Sequence, residues 1–133
     1  MASILRVDTL TDASSNNSVA TSVLFGGSGK AWINMNGTGT IAIRDSYNIA
    51  SITDNGTGDH TQTFTSAFTN NDYAPAAATQ DDESDTSNFT TSYPAIYRST
   101  TGLATSAMRL GTGSGSTRYD ITGIFASVHG DLA

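Results

Sequence analysis

The stretch Lys30-Ala-Trp-Ile-Asn-Met-Asn-Gly-Thr-Gly-Thr-Ile-Ala-Ile-Arg-Asp-Ser-Tyr-Asn-Ile-Ala-Ser-Ile-Thr-Asp-Asn-Gly-Thr-Gly-Asp59 decides the fold of this chain. It sets short β runs between Asn-Gly and Gly-x-Gly turns, with almost no charge. In residues 31–36, Ala31, Ile33 and Met35 share one face of a strand, and Trp32, Asn34 and Asn36 share the other. Asn36-Gly-Thr-Gly39 turns the chain, after which Ile41 and Ile43 are expected to continue the inward face. Tyr47 and Ile49 keep odd parity, but Ile52 switches to even. A one-residue slip turns every later side chain to the other face, so a bulge or bend belongs near Ala50-Ser51. Asp54-Asn-Gly-Thr-Gly-Asp59 then reads as a hairpin turn, because Gly and Asn tolerate the positive φ that tight turns require. The returning strand carries His60, Gln62 and Phe64 on one face.

The composition extends this reading to the whole chain. Thr, Ser, Gly and Asn fill 60 of 133 positions, whereas there is one Glu (Glu83) and one Lys (Lys30). Thr suits a half-exposed β surface and the others suit turns, so the chain is expected to be all-β. Only 37% of residues are hydrophobic, which makes the core lean. A chain this long buries roughly two thirds of its unfolded surface, enough for one domain. Lean cores of this kind are often completed by neighbouring chains, so an oligomer is expected.

Net charge is −6, and Arg6, Lys30, Arg44, Arg98, Arg109 and Arg118 are scattered, so no positive stripe suits nucleic acid. The absence of cysteine excludes disulfides and thiolate-bound metals. The Met1-Ala-Ser-Ile-Leu-Arg6 start has no apolar core of a secretory signal. No apolar run approaches the ~20 residues of a membrane-spanning helix. Synthesis in a cytoplasm, without membrane insertion, is the expectation.

Around the decisive block the chain divides in two. Residues 1–29 read as an anchoring arm, with one strand over residues 4–10, a polar turn over 11–18 and a second strand over 19–25. Two strands alone are marginal in water, so this arm is expected to pair with something else. Residues 30–133 read as an antiparallel β-sandwich or jelly-roll-like domain. Beyond Phe68 the pattern loosens: an Ala-rich stretch follows Pro75, and residues 80–88 form an acidic loop. Residues 89–98 return as a strand, with Pro94 suggesting an edge position. Residues 103–110 suit a strand or a short helical turn, residues 111–116 a flexible loop, and residues 119–129 a closing strand with Ile124, Ala126 and Val128 inward.

Three motifs carry no chemistry on this reading. Gly26-Gly-Ser-Gly-Lys30 resembles a phosphate loop, but Leu24 stands where Gly is needed and Ala31 where Ser or Thr is needed. Asp81, Asp82, Glu83 and Asp85 lack the interleaved ligand spacing of a calcium loop. His60 and His129 form no His-x-His pair and are read as surface or interfacial residues. No metal, cofactor or catalytic constellation is therefore expected, and the chain is read as non-enzymatic. The aromatics Tyr73, Phe89, Tyr93 and Tyr97 bracket the acidic loop. Aromatic faces beside carboxylates suit sugar recognition, so Tyr73, Asp81, Asp82, Glu83, Asp85, Tyr93 and Tyr97 form the candidate receptor-contact patch.

The Lys-Ala-Trp-Ile-Asn-Met-Asn-Gly-Thr-Gly-Thr block and the Ser51-Ile-Thr-Asp-Asn-Gly-Thr-Gly-Asp59 hairpin resemble a block in tail-fibre and other virion-surface proteins of marine bacteriophages. The resemblance covers residues 30–65, fades over residues 3–10 and returns at Val128-His-Gly-Asp131. It implies a virion protein, most simply a homotrimeric tail fibre or appendage acting in host attachment. The arm would dock on other virion proteins, and the distal loops would meet a host-surface glycan. A capsid decoration protein and a carbohydrate-binding module are the alternatives. Members of that family commonly carry a Tyr and a β-branched residue where this chain has His60 and Gln62. That departure suggests a wetter face here.

Overall fold

The computed structural model describes residues 6–15, 17–80, 93–96, 103–114 and 116–133. In chain order its elements are β1 (Thr9–Thr11), β2 (Ser18–Ala20), α1 (Thr21–Gly27), β3 (Ala31–Asn36), β4 (Ala42–Tyr47), β5 (Ile49–Gly56), β6 (Asp59–Phe64), β7 (Ala74–Gln80), β8 (Tyr93–Ile96), β9 (Leu103–Ala104), β10 (Ala107–Ser114), β11 (Thr117–Arg118) and β12 (Gly123–His129). All strand pairings are antiparallel. One sheet runs β4-β3-β12-β7, and the other runs β11-β10-β6-β5, with β8 and β9 also pairing β10. β1 and β2 make a separate ribbon in the arm.

The inward faces of the two sheets make a β-sandwich. Period-2 alternation puts Ala31, Ile33 and Met35 of β3 and Ile124, Ala126 and Val128 of β12 into the core. Phe64 of β6 and Met108 and Leu110 of β10 face them from the other sheet, and Phe68, Tyr73 and Ile121 close the ends. Burying a side chain of this size contributes roughly 1.5–3 kcal/mol.

The β5–β6 hairpin matches the sequence reading. Ile49 pairs Phe64 while Ser51 pairs Thr63, so Ala50 is the extra residue of a bulge. The chain changes sheets one residue before β5. There Asn48 takes a left-handed conformation, with φ of 57°. Its side-chain amide donates to the Lys30 and Ser66 carbonyls, each at 3.1 Å, and its Oδ1 accepts from Ser66 N at 2.7 Å. One side chain therefore pins the corner to the start of β3 and the end of β6.

Several expectations are corrected. Residues 19–25 are not one strand: Val19 and Ala20 belong to β2, whereas Thr21–Gly27 form α1, with Thr21 N and Oγ1 donating to the Asp8 carbonyl at the junction. Ile43 does share the inward face, opposite the buried Met35, but it is not buried there. The β3–β4 register shifts between Asn34 and Met35, and β4 lies on the sheet edge with Ile43 and Tyr47 exposed. The His60–Gln62 face is not wet, and His60 is not at the surface. Both residues are 0% exposed, because their cross-strand partners Leu110 and Met108 belong to the same inner layer. Residues 111–114 are strand, not flexible loop, since β10 continues to Ser114 and turns into β11. Residues 103–110 resolve as the β9–β10 hairpin.

Candidate functional site

Tyr73, expected in the receptor-contact patch, is instead a core residue, 3% exposed. Its ring lies 4.6 Å from that of Phe68 and 5.8 Å from that of Phe64, centroid to centroid. Its hydroxyl donates to the Ala104 and Ala107 carbonyls at 3.2 and 3.1 Å. Burial pushes the phenol up to about 12, so it stays neutral in ordinary buffers. The sequence showed an aromatic after a turn but not the β9–β10 hairpin folding over it. Tyr93 opens β8 opposite Gly113. Asp81, Asp82, Glu83, Asp85 and Tyr97 lie outside the described residues.

Among the described residues the strongest electrostatic feature is Asp59, at the turn of the β5–β6 hairpin. It is 3% exposed, and its carboxylate accepts a two-pronged pair from Arg109, with Nε at 2.7 Å and the other nitrogen at 2.6 Å. Arg118 binds the same carboxylate from β11. The Arg109 hydrogen bond, outweighing the opposing effect of burial and helped by Arg118, lowers Asp59 to about 2. A carboxylate so engaged has no proton to exchange near neutral pH. Its role is to lock the hairpin tip against β10 and β11. Gly58 N donates to Asp120 Oδ1 at 2.7 Å in the same cluster.

Among the described residues two apolar surfaces remain outside the core: one on the arm that the sequence expected to pair with something else, and one that the sequence did not single out. The first is on the arm. Val7, Leu10, Val23, Leu24 and Phe25 are exposed, Phe25 by 70%, and α1 buries none of its residues. The second is the outer face of the β4-β3-β12-β7 sheet. Strand register places Tyr47, Trp32, Ser127 and Ala76 in one cross-strand row, and Asp45, Asn34, Phe125 and Ala78 in the next. Small residues on β7 and β12 leave an open groove of about 390 Å³ between Trp32, Asn34 and Phe125. Beside it, Gly123 leaves no room for a side chain: a Cβ there would stand 2.9 Å from Gln80 Cβ and 3.3 Å from Phe125 Cε2. Parity alone put Trp32 and Asn34 outward, but only the β3–β12–β7 pairing sets Phe125 and the alanines beside them.

Among the described residues, no three His, Cys, Asp or Glu side chains gather as metal ligands. Among the same residues no helix is long and apolar enough to cross a membrane. No family model, curated protein or solved structure matches this chain.

Proposed function

We propose that this chain is a non-enzymatic structural protein of a bacteriophage virion, a tail-fibre or appendage subunit taking part in host attachment. The observation that carries the reading is the arm. A ribbon and a short helix that expose Val7, Leu10, Val23, Leu24 and Phe25 lead into a sandwich whose core needs none of them. Apolar surface of that kind, joined to a self-sufficient domain, suits a protein that works by being built into an assembly. The resemblance of residues 30–65 to virion-surface proteins of marine phages points the same way.

In this reading the subunit is a homotrimer and the arm contacts other virion proteins. Asp81, Asp82, Glu83, Asp85, Tyr93 and Tyr97 remain the proposed contacts to a host-surface glycan, and Tyr73 is withdrawn as a contact. Weak contacts become effective when many copies engage together. Electron microscopy of intact virions labelled with an antibody to residues 70–93 tests the assignment. Label along the tail or its fibres is expected. Label over the head instead makes the chain a capsid decoration protein, and absence of label from purified virions ends the structural reading.

A further inference from the structure

We propose that the groove on the outer face of the β4-β3-β12-β7 sheet receives helix α1 of a second copy of this chain. The inference goes beyond a place in the virion and does not depend on it.

The helix needs a surface. It is seven residues long, has no side-chain N-cap, and carries no acidic residue in its first turn and no basic residue in its last. Isolated helices shorter than about 12 residues are marginal in water, and Gly26 and Gly27 weaken this one further. What would hold α1 in shape is cover over Val23, Leu24 and Phe25, which stand 61%, 42% and 70% exposed.

The groove matches that helix in chemistry. Its lining residues, among them Trp32, Asn34, Ala76, Ala78 and Phe125, include no charged side chain. Helix α1 is also uncharged. In a chain of net charge −6, two copies repel over most of their surfaces, and contact is favoured where both partners are neutral and apolar. Phe25 supplies the kind of aromatic anchor that dominates small interfaces, and Trp32 and Phe125 offer ring edges and faces to it. An apolar helix face seated in a hydrophobic groove is a common recognition mode.

The occupant is the helix of another copy because the chain's own helix is held off. Lys30 N donates to the Val128 carbonyl at 2.8 Å, fixing the start of β3. Lys30 Nζ reaches back to the Phe25 carbonyl and to Ser28 Oγ, and lies 5.9 Å from the Phe25 ring centroid. Only Ser28 and Gly29 separate α1 from Lys30. These bonds tie Phe25 to the residue just before β3, and laying it over Trp32 and Asn34 of the same strand would break them. Each copy then offers a helix to one neighbour and a groove to another. Such a head-to-tail contact closes into a ring when its rotation permits and otherwise continues as a filament.

The chain has no cysteine, which makes the test direct. Chains carrying Phe25→Cys and chains carrying Ala78→Cys are mixed, oxidised and run without reductant, alongside the doubly substituted chain at high dilution. The expected result is a disulfide between copies in the mixture and little closure within the diluted double variant. By sedimentation equilibrium, Phe25→Asp and Ala76→Arg should each weaken self-association by about tenfold or more, with the far-ultraviolet β signature unchanged. Closure within the diluted double variant would mean that the arm covers its own groove, and overturns the proposal. Self-association indifferent to both substitutions overturns it in favour of another interface. A monomeric chain whose Trp32 fluorescence answers to dextran overturns it in favour of a saccharide in the groove.

Discussion

Asp59 shows how one side chain can fix the relation between two hairpins. Its folded pKa is about 2, against an ordinary value of 3.8, so the folded state holds the ionised form more strongly than the unfolded chain does. The stabilisation is complete above the unfolded value and fades as pH falls through the folded one. A shift of this size corresponds to about 2 kcal/mol. Acid unfolding followed by circular dichroism should therefore show stability lost between about pH 4 and pH 2, and Asp59→Asn should flatten that part of the curve while lowering stability at pH 7. Tyr73 titrates at the other extreme. Its folded value near 12 lies above the unfolded one, so its contribution is present below pH 10 and lost as pH rises towards 12. In Tyr73→Phe the latest-ionising phenol should vanish from the spectrophotometric titration. The same variant should lose about 1 kcal/mol in denaturant melts, because the Ala104 and Ala107 carbonyls lose their donor.

At the level of elements, the corner between β4 and β5 is the most exposed to a single change. Asn48 supplies three hydrogen bonds from its side chain and accepts the left-handed backbone that lets the chain pass from one sheet to the other. Asn48→Ala should destabilise the fold by about 2–3 kcal/mol, since it removes those bonds and strains the backbone as well. Asn48→Gly should fall between the two, because glycine relieves only the strain. Equilibrium urea unfolding of the three proteins measures both parts, and an alanine variant no weaker than the glycine variant would refute the backbone argument. The C-terminal end is an element of the same kind. Thr69 N donates to the Asp131 carbonyl and Ala133 N to the Ala67 carbonyl, stapling the last residues over Phe68.

For the whole molecule, the core belongs to residues 31–128 and leaves the arm outside it. A chain beginning at Lys30 should thus keep its β-type circular dichroism, and its melting temperature at high dilution should lie within a few degrees of that of the full chain. If the arm's apolar residues seat on a neighbour, the full chain should gain melting temperature with concentration and the shortened chain should not. Differential scanning calorimetry over a hundredfold range of protein concentration separates these outcomes.

Much of the fold was legible because its signals are local. The Asn-Gly-Thr-Gly hairpin, the parity break that became the Ala50 bulge, and the alternation of β3 and β12 each depend on residues a few positions apart. What stayed hidden depends on partners distant in sequence. His60 and Gln62 read as a wet face until Leu110 and Met108 were laid beside them, and Tyr73 read as a surface aromatic until the β9–β10 hairpin closed over it. The sequence by itself determined a β-rich, lightly charged fold, because turn chemistry and side-chain alternation are written in neighbouring residues. Only the tertiary structure decided which aromatics face water and where the groove lies, because cross-strand register joins residues dozens of positions apart and no local pattern encodes it.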